Sequence, residues 1–353
     1  MRIKRVMAAL LAAPLVGLVL GAMPTMSITA QADPNPALHV TSVALNKTSV
    51  AVSALNTVPV TVTVKGSYDD ASDPKITVYV ILERTAGTGQ NTALLSTNLP
   101  LTGTLQNATW SGPLQVPSTA NGTFKVKSVF AGTYNPGSGD MTEPTPYDGP
   151  SIVVKGTNIP RLSASVTPKL VPFGQGYSIK WAVTNSATGK PYGSKIRVVL
   201  GNDNGCVEFT GARDPRLTDT NGIVTKSYLA SDAGYLNCLL LPGDPETIGW
   251  LSLFVARPGI VSAAPSKTSA PVGSIVPVNG SVAGAPTACK VNLQRLYGAT
   301  QWRNVGTANI RSSGRFTANA QPAYRGQIPY RVSFPACYNY AAGLSKVFYI
   351  RGL

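Results

Sequence analysis

The 353-residue chain has one histidine, His39, and no cysteine before Cys206. Both scarcities exclude chemistry. A serine or cysteine hydrolase needs a histidine or its substitute to move the proton. His39 stands close to the expected mature N-terminus, where chains are poorly ordered, and is read as solvent-facing. Zinc sites want closely spaced Cys or His pairs, yet the nearest cysteines lie 32 positions apart. No G-x-S-x-G elbow, Walker loop or dinucleotide fingerprint occurs. Helical periodicity is missing too, since no window after residue 33 repeats apolar residues at i, i+3, i+4 and i+7 for three turns. Carboxylates are unevenly scarce, and residues 257–353 contain none.

The remaining acids offer weak candidates. A glycosidase-type pair needs two carboxylates across a cleft, but Asp203, Glu208, Asp214, Asp219, Asp232, Asp244 and Glu246 mostly sit beside Gly, Pro or Asn in apparent turns. Asp69, Asp70 and Asp73 crowd one loop, where oxygen ligands would suit a calcium ion; turn carboxylates bonding their own backbone explain them as well. The expectation is a protein with no catalytic residue, no metal site and no cofactor, not an enzyme.

What is present begins with Arg2, Lys4 and Arg5, an uncharged apolar run from Val6 to Met23, and Ala30-Gln31-Ala32. That order predicts a cleavable signal peptide over 1–32 and a mature start at Asp33. With no cysteine near the cleavage point, lipid attachment there is excluded. No later apolar run is long enough to cross a bilayer. The expected location is secreted and extracellular, with cell-wall association as an option.

Residues 33–353 are too many for one sandwich of roughly 100 residues and suit three. Val58, Val60, Val62 and Val64 alternate with Thr61, Thr63 and Lys65, the two-residue period of a half-buried strand. The pattern returns in Ile76, Val78, Val80 and Leu82, then in Phe124, Val126 and Phe130, with turns expected at Asn121-Gly122 and Pro136-Gly137. Further strands are expected at Tyr177 to Thr184, Lys195 to Leu200, Gly222 to Leu229, Tyr235 to Leu241 and Trp250 to Val255. The predicted fold class is all-β: tandem immunoglobulin-like β-sandwiches after the signal peptide, at 38–156, 159–256 and 259–353.

In the middle segment, Ala187-Thr188-Gly189-Lys190-Pro191, Lys195 to Leu200 and Thr218-Asp219-Thr220-Asn221-Gly222-Ile223-Val224-Thr225 resemble bacterial Ig-like domains of invasin-type surface proteins. In the last segment, Gly280-Ser281-Val282, Val291 to Arg295, Trp302 to Ala308, Gly314-Arg315-Phe316 and Tyr330-Arg331-Val332 resemble Ig-like modules of secreted proteins of high-GC Gram-positive bacteria. These resemblances imply a spacer, adhesive or polymer-binding role and carry over no catalytic residue.

Charge divides the chain more sharply than any motif. Residues 33–158 carry 7 Lys+Arg and 8 Asp+Glu, residues 159–256 carry 9 and 7, and residues 257–353 carry 11 and none. A field of one sign beside Tyr297, Trp302, Tyr324, Tyr338 and Tyr340 suits an anionic polymer: teichoic acid, acidic polysaccharide or extracellular DNA. Arg295, Arg303, Arg311, Arg315, Arg325 and Arg331 are the candidate polyanion contacts, and Trp302 and Tyr338 the candidate aromatic contacts. The alternatives are a carbohydrate-binding accessory protein, with Trp110, Trp302 or Tyr338 stacking on sugar, and a purely structural spacer. The protein partner and oligomeric state stay open.

Four cysteines in an exported chain are expected as disulfides. Because each sandwich must fold alone, Cys206 should pair with Cys238 and Cys289 with Cys337, each closing a loop worth about 4 kcal/mol in the chain-entropy model. Non-reducing peptide mapping of the mature protein is expected to recover these two linkages, and free thiols would refute them.

Overall fold

The computed structural model describes residues 35–132, 144–203, 213–243 and 247–353. The expected signal peptide and the Pro136-Gly137 turn lie outside the described residues. Among those described, the only helical segments are two 3-10 turns, Ser118–Ala120 and Ala230–Gly234. No described helix is long and apolar enough to cross a membrane.

Strand pairing falls into three groups, each a pair of facing sheets. In the first, Leu38–Leu45, Thr57–Tyr68, Asn107–Pro117 and Leu101–Thr104 form one sheet. Facing it are Ser49–Ser53, Ser151–Thr157, Gly122–Ala131, Val78–Ala86 and Ala93–Leu95, with the short Thr145–Pro146 beside Gly122–Ala131. In the second, Pro160–Thr167, Tyr177–Asn185 and Ile223–Tyr228 face Arg213–Leu217, Arg197–Asp203, Leu236–Leu241 and Gly249–Leu253. In the third, Val261–Pro265, Val276–Val282 and Arg315–Ala320 face Ser269–Ala270, Phe348–Gly352, Gly326–Phe334, Lys290–Tyr297 and Gln301–Asn309. Each group has its own core, and the architecture is all-β, tandem Ig-like sandwiches.

Alternation explains these cores. Val60, Val62 and Val64 are buried while Thr61 and Lys65 are exposed, so one face of Thr57–Tyr68 turns inward. A similar start recurs in the first and third sandwiches: the opening strand lies in one sheet, and its continuation joins the facing sheet in parallel. Lys47-Thr48-Ser49 and Lys267-Thr268-Ser269 occupy the crossing point in each, where Val153 N–H donates to Thr48 O at 2.9 Å and Arg351 N–H to Thr268 O at 2.8 Å.

Three expectations need correction. Phe130 does not share a face with Phe124 and Val126. The pairing skips Lys127, a bulge that turns the following side chains over. Val129 then enters the core and Phe130 joins Tyr79 and Leu95 in a small cluster of its own, its ring 6.2 Å from that of Tyr79. Trp110, a proposed sugar stacker, is wholly buried and donates its indole N–H to Ile76 O at 2.9 Å. At Asn121-Gly122 the chain leaves a 3-10 turn rather than closing a hairpin, and the Asn121 side chain accepts from Gly156 N–H at 3.0 Å. The middle-segment strands begin or end one to three residues away from the sequence reading, as expected where turns compete with ladder ends.

The junctions between sandwiches are built. Leu55 of the first packs against the second core, and the side chains of Thr119 and Gln90 donate to Ile248 O and Trp250 O. Between the second and third, Arg257 is buried, its guanidinium donating to Pro172 O at 3.1 Å and lying 5.0 Å from the Phe173 ring centroid. Its backbone also bonds across, with Arg257 N–H donating to Asn339 O at 2.7 Å and Ala341 N–H to Arg257 O at 2.8 Å. Phe173 stacks on Tyr340 with centroids 6.5 Å apart, and Gly284 closes beneath them. There φ is +81° and a Cβ would meet Phe173 at 2.7 Å, so only glycine fits.

Arg257 therefore belongs to the hinge and not to the free charge of the last module. Arg257→Ala is expected to leave all three sandwiches folded while loosening this junction, because a desolvated cation–π contact contributes about 2 kcal/mol. Small-angle scattering should show a broader distance distribution and limited proteolysis faster cleavage near Pro258. Unchanged scattering together with unchanged protease resistance would refute the clamp.

Candidate functional site

Two of the candidate arginines of the third sandwich, Arg295 and Arg303, stand on a hairpin of Lys290–Tyr297 with Gln301–Asn309. A bulge at Val305 shifts the register, pairing Leu293 with Gly306 and then Gln294 with Asn304. Directly opposed residues share a face, so the bulge decides which side chains meet. Arg295 stands opposite Arg303, and their guanidinium carbons lie 4.5 and 4.7 Å from the Tyr297 ring centroid. Arg303 Nη2 donates to Gln301 Oε1 at 2.7 Å, and Arg295 donates to the Tyr297 hydroxyl. On the opposite face, Arg331 of Gly326–Phe334 lies 4.2 Å from the Trp302 ring and donates through Nε to Gln294 Oε1 at 2.8 Å. Gln294 in turn donates to Asn304 Oδ1 at 2.9 Å.

Every acceptor in this set is neutral. Amide and phenol oxygens fix the direction of a guanidinium but leave its charge intact, whereas a carboxylate would cancel it. The module has no carboxylate, and the five salt bridges among the described residues lie in the first two sandwiches. Two guanidinium groups directly opposed across a ladder repel, and ring stacking offsets part of that. Beneath them, burial raises the Tyr330 hydroxyl pKa above its ordinary value, partly countered by a hydrogen bond with Arg295. The phenol is a neutral donor to Gln321 O at 2.9 Å and adds no negative charge at neutral pH.

The structure brings Arg295 to Arg303 on one face of the sheet and Arg331 to Trp302 on the other, and separates the remaining predicted contacts from both pairs. Arg311 and Arg315 flank a tight turn, and both line a depression of about 410 Å³ with Asn279, Ser281, Phe316 and Thr317. Arg311 donates to Thr317 Oγ1 at 3.3 Å. Arg325 is exposed in the turn before Gly326–Phe334. Tyr338 is 83% exposed with φ +51°, between Cys337 and Asn339 at the Arg257 junction. It forms no common surface with Trp302, which lies toward the far end of the hairpin from Cys289. Tyr340 is a junction residue, its ring edge-on to Phe334 and its hydroxyl donating to Gly284 O at 3.0 Å. Gln294, Gln301 and Asn304 escaped sequence reasoning because nothing marks a neutral amide as a guanidinium partner until the bulge fixes the register.

Elsewhere the candidate groups have local partners. His39 lies within strand Leu38–Leu45 rather than in a loose terminus, and its Nε2 is 2.9 Å from Asp69 Oδ2. Asp70 accepts from Ser72 N–H and Asp73 from Lys75 N–H, and hydrogen bonds from the Ser72 side chain and then its backbone hold the Asp70 carboxyl below its ordinary pKa. Asp214 pairs with Arg216 and Lys226, Asp219 accepts from Ile223 N–H, and Asp232 accepts from Leu229 N–H. Glu208, Asp244, Glu246 and the side chain of Asp203 lie outside the described residues. Among the described residues no three His, Cys, Asp or Glu gather where a metal ion would need them. Cys289 is bonded to Cys337. Cys238 is buried and disulfide-bonded, and Cys206, its expected partner, lies outside the described residues.

No protein-family model matches the chain, and no curated protein matches it. Solved structures do. The Escherichia coli adhesin FdeC is similar at 13% identity with a TM-score of 0.27, over 91% of this chain and 99% of that one. A tetra-tandem repeat from the extending region of a large adhesion protein is similar at 11% identity and TM-score 0.32, over 90% and 75%. The D1–D4 ectodomain fragment of ICAM-5 is similar at 14% identity and TM-score 0.29, over 88% and 77%. With TM-scores this low, the fold assignment rests on the strand pairing described above.

Because Arg303 opposes Arg295, Arg303→Gln is expected to leave the stability unchanged or to raise it by about a few tenths of a kcal/mol. Thermal unfolding followed by circular dichroism measures this. A loss of stability above about 1 kcal/mol would make Arg303 a structural residue.

Proposed function

We propose that this chain is an extracellular, non-catalytic interaction protein, in which the third sandwich holds an anionic polymer and the first two form a stalk. One observation carries the reading: Arg295, Arg303 and Arg331 are stacked on Tyr297 and Trp302 and oriented by Gln294, Gln301 and the Tyr297 hydroxyl in a module without a single acid. Arginines prepared in this way lose little side-chain freedom on meeting a phosphate or carboxylate. The near-neutral first and second sandwiches and their interlocked junctions support the stalk role. The Cys289–Cys337 bond suits an oxidising, extracellular location. Teichoic acid, acidic polysaccharide and extracellular DNA are polymers of the right charge.

Retention of the full chain on isolated cell walls, with and without teichoic acid, and on immobilised polyanions tests this. Log affinity is expected to fall with log salt, at a slope approaching one unit per phosphate neutralised on a densely charged polymer. Arg303→Gln and Arg331→Gln should each reduce that slope by about one without unfolding the protein. A chain ending at Ala256 would also strip Arg257 from Phe173, so one ending after Pro258, which keeps that contact, is the appropriate truncation and should flow through. Absence of salt-sensitive binding at low ionic strength would reduce the protein to a structural spacer.

A further inference from the structure

The outward face of the larger sheet in the third sandwich carries an apolar row of which the charge arguments use only Trp302. Ile328, Tyr330 and Val332 point into the core, which turns Pro329 and Arg331 outward; Ile350 points in and turns Tyr349 and Arg351 outward. Pro329 pairs with Tyr349, and Leu296 with Trp302. The ladder between the two central strands runs to Arg295 opposite Tyr330, and continuing that register by one residue brings Leu296 beside Pro329. Tyr349, Pro329, Leu296 and Trp302 therefore form a row across four adjacent strands. At about 4.8 Å per strand the row extends about 14 Å. Arg331 borders it on one side, its guanidinium laid against Trp302, and Arg351 on the other. Tyr349 is 52% exposed, and no residue of the row is fully buried.

We infer that this face docks a linear polysaccharide bearing carboxylates, its chain running across the strands with sugar rings lying on the Tyr349–Trp302 row and its carboxylates meeting Arg331 and Arg351. The inference rests on the polyanion reading above and narrows it to one polymer class. Charge complementarity sets the sign, because the module has no acid to repel an anionic ligand or neutralise the bordering arginines. The row sets the class. A polyol phosphate such as teichoic acid carries charge but no unbroken succession of rings to cover an apolar strip. Single-stranded nucleic acid needs a π-face for each stacked base, whereas the two middle positions are Pro329 and Leu296. The C–H face of a pyranose packs on aliphatic and aromatic surfaces alike, and the strand spacing is close to the advance per sugar in an extended glycan. Pro329 also brings a rigid, flat side chain with no N–H to bond a neighbouring strand.

The test uses the full chain and four probes: polygalacturonate, its methyl ester, inorganic polyphosphate and single-stranded DNA, compared at one ionic strength. Polygalacturonate is expected to bind at least about tenfold tighter than its uncharged ester. Tyr349→Ala should weaken polygalacturonate binding about tenfold and polyphosphate binding less than about twofold, while Tyr349→Phe, which keeps the ring, binds as wild type. Arg331→Gln should weaken both. Tyr349→Ala binding polygalacturonate as tightly as wild type overturns the inference, and so does single-stranded DNA binding tighter and losing its affinity with Tyr349→Ala. Equal binding of polyphosphate and polygalacturonate, indifferent to Tyr349, overturns this inference while leaving the polyanion reading in place. Loss of binding to every charged probe defeats both.

Discussion

Burial of alternate side chains between two sheets about 10 Å apart is the constraint on which everything else in this protein depends. It requires each strand to commit one face to the core, as Thr57–Tyr68 does with Val60, Val62 and Val64. The other face is then free of packing duties. In the third sandwich that freedom lets Arg331, Gln294, Trp302 and Tyr349 sit on well-anchored strands instead of on loops. Side chains held in this way keep their geometry when a ligand arrives, because the core beneath them, with Tyr330, Val332 and Phe334 wholly buried, cannot shift cheaply.

Charge in this chain is organised by what surrounds it. Asp148 lies between Lys125 and Lys127, whose hydrogen bonds and charge hold its carboxyl below the ordinary carboxylate range, and Asp214 lies between Arg216 and Lys226 to the same effect. Such pairs neutralise the first two sandwiches locally. In the third, the guanidinium groups have aromatic faces and neutral oxygens in place of carboxylates, so orientation is achieved without cancellation. Arg257 is the exception that proves informative: buried against Phe173 and the carbonyls of Val171 and Pro172, it serves the junction. Two arginines of one module thus have opposite roles because one is desolvated by a neighbouring sandwich and the other faces water.

Bulges carry more of the design than their size suggests. Skipping Lys127 sends Phe130 outward to Tyr79, and the extra residue at Val305 sets Arg303 against Arg295 and Trp302 against Leu296. In each case one unpaired residue reverses the faces of all that follow. Without the Val305 bulge, a strict two-residue count from the inward-facing Ala308 would turn Trp302 inward and Arg303 outward. The aromatic row and the arginine pair would then not exist as they do.

Composition and periodicity alone determined that the chain is all-β, that long helices are absent among the described residues, and that positive charge concentrates after residue 256, because strand period and net charge are local or additive properties of the sequence. They also sufficed to single out Arg295, Arg303, Arg331 and Trp302 as candidates. Tertiary structure decided which of the basic residues share a surface, since Arg311 and Arg315 differ from Arg303 in no local respect yet lie on another part of the sandwich. It decided that Trp110 belongs to the core and Tyr349 to the surface, because burial depends on the facing sheet and not on residue type. It decided the role of Arg257 as well, through Phe173 and Asn339, partners 84 and 82 positions away in the chain. Contacts of that range are set by register, bulges and the docking of one sandwich on the next, and no window of sequence contains them.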